Sequence, residues 1–147
     1  EYFGAETTSH SVENLIYSNP KIMLLLIPIS LFLVGPLEEL LYRNIIQKSL
    51  YSSFSPVGSI LISSIIFSAV HISAYSGGAL FQNPLPVLNA LFVIFILSVI
   101  IGFVYYQTKN LVTAALLHGI YDSIIFAAFY VNTTTGAAAT IPSLFLF

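Results

Sequence analysis

Between Lys48 and Lys109 lie sixty residues without a single Asp, Glu, Lys or Arg. An ordinary soluble domain is about 25% charged, so a tract of this length has nothing with which to cover a water-facing surface. The rest of the chain does not compensate: of 147 residues, 57% are hydrophobic and 7% charged, and no charge follows Asp122. A soluble globule is therefore excluded, and so is nucleic-acid binding through a basic face. What remains is a chain whose solvent is the lipid bilayer.

The length fits one domain, most of which four spans of about 20 residues would use. There is no Cys, hence no disulfide framework and no thiolate metal site. A chain beginning at Glu1 reads as a fragment or a trimmed chain, and its start lacks the basic, apolar and small-residue regions of a signal peptide. Residues 1–20, with Glu1, Glu6 and Glu13, read as a polar lead-in. The core, 21–131, divides into spans at about 22–54, 57–76, 85–106 and 111–131, followed by a tail over 132–147. The expected fold is all-α, a polytopic membrane helix bundle of about four transmembrane helices. The first span is too long for a ~30 Å hydrocarbon core, and Pro28 and Gly35-Pro36 predict that it kinks. In the second, Ser59, Ser63, Ser64, Ser68 and Ala69 recur at the spacing that lets helices approach closely. Gly77-Gly78 and Asn83-Pro84 mark the loop after it. The positive-inside rule places the Lys48 and Lys109 side in the cytoplasm, and the expected location is a prokaryotic cell membrane.

The informative residues are the polar ones inside spans: Glu38, Glu39 and Arg43 on the first, His71 on the second, His118 and Asp122 on the fourth. A charge at the centre of a span costs about 2.5–3.5 kcal/mol, so these groups must pair, neutralise or line a wet cavity. Glu39 and Arg43, four apart, can pair on one helical face, which reads as a structural contact ahead of direct chemistry, though both stay in the candidate catalytic set. Glu38 lies about 100° round the helix and is left to face something else. Counted from the span ends at about 1.5 Å per residue, Glu38 lies ~24 Å deep, His71 ~21 Å, Asp122 ~17 Å and His118 ~11 Å. Three helices can therefore bring them towards one buried cavity. There Glu38 can take a proton from a water that His71 orients, and His118 with Asp122 can stabilise the oxyanion formed when that water adds to an amide carbonyl. The same groups, Glu38, His71 and His118 above all, could instead hold a divalent metal such as zinc, although no helical His-Glu-x-x-His is present. Phe67 and the serines read as packing, and Ser68 lacks the strained turn of a serine nucleophile.

Three motifs stand in order on separate spans: Glu38-Glu39-Leu40-Leu41-Tyr42-Arg43, Phe67-Ser68-Ala69-Val70-His71 and His118-Gly119-Ile120-Tyr121-Asp122. In these the chain resembles the intramembrane CAAX proteases and bacteriocin-processing enzymes, also called the Abi or CPBP family, over about Ile22 to Val131. The resemblance implies an endopeptidase whose substrate is a membrane-associated peptide or protein, in some members prenylated. It also implies that Glu38 and His71 act on the attacking water while His118 and residue 122 stabilise the oxyanion. Members are described as metalloproteases, and a metal-free glutamate mechanism fits the same residues. The eukaryotic prenyl-protein proteases carry Asn at the last motif position; this chain carries Asp122, which must be protonated or paired to donate a hydrogen bond. Two other classes also bury such groups. A proton- or cation-coupled transporter would do so near the midplane, though no internal repeat is present; a catalytically inactive scaffold of the same fold would keep the helices without the chemistry.

Overall fold

The computed structural model describes residues 18–73 and 84–135, and among these there is no strand. Most of the expected lead-in, the Gly77-Gly78 loop and all but the start of the tail lie outside the described residues. The helices are α1 (Lys21–Leu50), α2 (Pro56–Val70), α3 (Pro84–Thr108) and α4 (Leu111–Thr135). Three are long and apolar enough to cross a bilayer. The fourth, α2, has 15 residues, which at about 1.5 Å each reach only ~22 Å.

The outward surface is apolar: Leu25, Phe32, Leu33, Val57, Leu85, Phe92 and Val112 all lie exposed. The interior, by contrast, holds Glu39, Arg43, Gln47, Ser59, Ser63, Ser64 and Ser98 with no exposure at all. Apolar side chains outside and polar ones inside is the arrangement for a bundle in lipid, where interhelical hydrogen bonds and small residues hold helices together. The chain is thus an all-α integral membrane bundle, with α2 against α3 and α1 against α4.

Around the prolines of α1 the expected disturbance is visible as widened turns. The helix stays helical from Lys21 to Leu50 but widens twice, over Ser30–Val34 and Leu40–Gln47. In the first wide turn the Gly35 N–H reaches Ser30 O, five residues back. Pro36 follows directly; it has no N–H to offer Phe32 O, and its ring would press on that carbonyl, so a wider turn accommodates it. Such π turns recur at functional sites, and here they flank Glu38 and Glu39. The helix ends at Leu50 rather than near Phe54: the Tyr51, Ser52 and Ser53 N–H groups bond carbonyls three residues back, a tightened closing turn. Ser55 then caps α2, its hydroxyl accepting from the Gly58 N–H at 3.2 Å, with Pro56 at the first helical position.

The serine face of α2 points inward as its spacing predicts: Ser63 Oγ donates to Tyr42 O at 2.9 Å and Ser68 Oγ to Leu91 O at 2.7 Å. Ala69, grouped with them by sequence, is instead exposed.

Glycines set the approach of α1 to α4. A Cβ on Gly119 would stand 2.8 Å from Leu31 Cα, and one on Gly35 would stand 3.0 Å from Ala115 O. Only hydrogen atoms fit at this crossing, which lies beside Glu38, Glu39 and His118. Gly119→Ala must therefore push backbone from backbone. The expected result is a lower melting temperature in detergent, whereas Gly58→Ala, whose Cβ would meet nothing nearer than 3.3 Å, is tolerated far better.

Candidate active site

The site begins with a charge pair on α1. Glu39 and Arg43 are both fully buried, and Arg43 Nε donates to Glu39 Oε2 at 2.6 Å. Arg43 Nη2 continues to Ser98 Oγ on α3 at 2.9 Å, and its guanidinium carbon lies 5.6 Å from the centre of the Phe67 ring on α2. One arginine thus ties three helices together. The second oxygen of Glu39, Oε1, faces His118 Nδ1 on α4 at 2.9 Å. An ionised carboxylate only accepts, so Nδ1 carries the proton and the ring is fixed in orientation. Nε2 is then directed to the other two carboxylates, 3.7 Å from Glu38 Oε2 and 3.6 Å from Asp122 Oδ2. With Nδ1 protonated, donation from Nε2 requires the doubly protonated ring, whose charge the surrounding carboxylates offset.

His71 is placed by the way α2 ends. At the last turn the His71 N–H bonds Ser68 O, three residues back, rather than Phe67 O. The released Phe67 carbonyl accepts from His71 Nδ1 at 2.7 Å. A carbonyl cannot donate, so the proton is on Nδ1, and Nε2 is the basic nitrogen of the neutral ring. Phe67 packs against both imidazoles, 4.7 Å from His71 and 5.7 Å from His118 between ring centres, and edge-on to Tyr42 at 4.7 Å. The second motif is therefore one unit, in which the phenylalanine spaces two histidines and lends a carbonyl to one of them.

Glu38, His71, His118 and Asp122 line one cavity of about 220 Å³, walled elsewhere by Val34, Phe67, Ile94, Leu97, Tyr121, Ile125 and Phe126. It has room for several waters at about 30 Å³ each. Glu38 and Asp122 are its accessible acids, with 31% and 22% of their side chains exposed against none for Glu39. Of the six residues singled out from sequence, four line this cavity, while Glu39 and Arg43 lie behind His118 and hold it.

Among the described residues no group of three or more His, Asp or Glu side chains has metal-holding spacing. Glu38, His71 and His118 line the same cavity, where His118, its Nδ1 held by Glu39, presents Nε2 3.7 Å from Glu38 Oε2; a divalent ion held by these three would supply an activated water.

Three contributors are absent from the sequence reading: Ser98, which receives Arg43; Gln47, which donates to Tyr51 OH at 2.7 Å and Gly102 O at 3.0 Å; and Ser30, which donates to Asp122 Oδ2 at 2.5 Å. Ser30 and Ser98 stand alone among apolar neighbours, Ile29-Ser30-Leu31 and Leu97-Ser98-Val99. An isolated hydroxyl inside a span is a signal that could have marked both.

The family model described as type II CAAX prenyl endopeptidase Rce1-like matches residues 20–124, a segment that holds all three motifs and the whole cavity-lining set except Ile125 and Phe126. No curated protein and no solved structure matches the chain.

Proposed function

The chain belongs to the Rce1-like family of type II CAAX prenyl endopeptidases, and on that premise we propose that it is an intramembrane endopeptidase that hydrolyses a peptide bond with water activated by Glu38 and His71. The supporting observation is the single cavity that gathers Glu38, His71, His118 and Asp122 from three helices. In the proposed reaction the Glu38 carboxylate takes a proton from a water oriented by His71 Nε2, and the oxygen adds to the amide carbonyl. The resulting oxyanion is met by His118 Nε2–H and by Asp122 when protonated. Collapse breaks the C–N bond, and the proton held by Glu38 passes to the departing amine. Fixing donors before the charge develops is the largest electrostatic contribution such a site can make, and the Glu39–Arg43 pair supplies that rigidity for His118.

The proposed substrate is a membrane-associated protein or peptide, since the cavity opens within the lipid-facing bundle and its remaining walls are apolar. In the proposed orientation the Lys48 and Lys109 end faces the cytoplasm of a prokaryotic cell membrane. The test is cleavage by purified protein in liposomes of a C-terminally farnesylated peptide and its unmodified counterpart. Cleavage that His71→Ala and His118→Ala each abolish, with both variants inserted and folded, supports the reading; Glu38-dependent ion flux without cleavage of membrane peptides would favour a transporter instead.

Because protein groups alone complete these steps, full activity is expected after prolonged chelation, with less than one metal ion per protein by elemental analysis. Activity lost to chelator and restored by zinc would replace activation by Glu38 and His71 alone with a metal-bound water.

A further inference from the structure

Ser30 is 2% exposed, 92 residues away from Asp122 in sequence, and its hydroxyl donates to Asp122 Oδ2 at 2.5 Å. Three other serines of the bundle donate to backbone carbonyls: Ser63 to that of Tyr42, Ser68 to that of Leu91, and Ser123 to that of Gly119 on its own helix. Ser30 instead engages a side chain that lines the cavity. Its backbone is held as well. Ser30 O accepts the Gly35 N–H across the first wide turn and lies 3.1 and 3.2 Å from where Cβ atoms on Gly35 and Gly119 would stand. The donor thus sits on the most closely packed part of the α1–α4 crossing.

A hydrogen bond to one carboxyl oxygen fixes the plane of the group and so the direction of the other. Oδ2 is also the oxygen that faces His118 Nε2, at 3.6 Å. As long as Ser30 remains the donor to Oδ2, the proton of neutral Asp122 sits on Oδ1, which then donates much as an amide N–H would. We infer that Ser30 is a positioning residue, locking Asp122 so that Oδ1 is presented to the developing oxyanion; this rests on the hydrolase reading above.

The experiment measures steady-state cleavage by purified wild type, Ser30→Ala and Ser30→Thr, with rates expressed per folded protein and the melting temperature of each recorded. Ser30→Ala removes one oxygen and no packing carbon. Its kcat is expected to fall about 10- to 100-fold, the scale of a misplaced catalytic group, with KM and melting temperature nearly unchanged. The hydroxyl of Ser30→Thr is expected to recover most of the loss. A Ser30→Ala protein with wild-type kcat overturns the inference, as does a loss of rate fully matched by loss of folded protein. Glu38→Gln run alongside separates the two possible failures. Cleavage indifferent to Glu38→Gln overturns the hydrolase reading itself, whereas cleavage that needs Glu38 but not the Ser30 hydroxyl overturns only the role of Ser30.

Discussion

Glu38→Gln is expected to abolish cleavage while leaving the melting temperature of the detergent-purified protein where it was. The side chain is the same size, is 31% exposed to the cavity, and its nearest ionic neighbour, His118 Nε2, lies 3.7 Å away, beyond hydrogen-bond distance. His118, the buried group it faces, keeps Glu39 at 2.9 Å and Asp122 at 3.6 Å as carboxylate partners when Glu38 is neutralised. What the amide cannot do is accept a proton from water, and a positioned general base contributes about 10²–10⁴-fold to a rate. The measurement is a pair on one preparation: initial rate of peptide release, and unfolding followed by tryptophan-independent circular dichroism, since the chain contains no Trp. A variant that cleaves at the wild-type rate contradicts the role given to Glu38.

Glu39→Gln, one residue along, is expected to do the reverse, with its main effect on stability. Glu39 has no exposure and accepts from both Arg43 Nε and His118 Nδ1. Neutralising it leaves the Arg43 charge buried, where breaking one side of a buried pair costs about 3–5 kcal/mol. Against a total stability of about 5–15 kcal/mol that is a large fraction. The variant should melt far below wild type and lose activity through His118 in whatever folds. The double variant Glu39→Gln with Arg43→Met removes the orphaned charge and is expected to regain much of the stability but not the activity. A Glu39→Gln protein as stable as wild type would show that the Arg43 charge is compensated elsewhere. Adjacent glutamates of one motif thus divide the work, one in the cavity and one in the core.

Much of this division is legible in the sequence because helical phase is arithmetic. Four residues separate Glu39 from Arg43 and put them on one face; one residue separates Glu38 from Glu39 and turns it away, and the structure has both. Ion pairs within one helix follow from spacing. Partners across helices do not: the bond from Ser30 to Asp122 depends on the α1–α4 crossing at Gly35 and Gly119, and that from Arg43 to Ser98 on the approach of α3 to α1, where Gly102 meets Gln47 and Arg43. The interruption of α2 at His71 is another such case. The His71 ring takes the Phe67 carbonyl that an unbroken helical turn would have used, and Ile72 and Ser73 are helical again; residues 74–76 of the expected span lie outside the described residues. The wide turns of α1 were hidden for a similar reason, since proline signals a disturbance and only the packed bundle shows how it is accommodated.

The central claim is that water, activated at Glu38, is added across a peptide bond inside the membrane. Membranes carrying wild type or Glu38→Gln, incubated in H₂¹⁸O and analysed by mass spectrometry of protein C-termini, test it most directly. The account predicts new C-terminal carboxylates bearing ¹⁸O in wild-type membranes and their absence with Glu38→Gln. Identical sets of labelled termini in both membranes would contradict it.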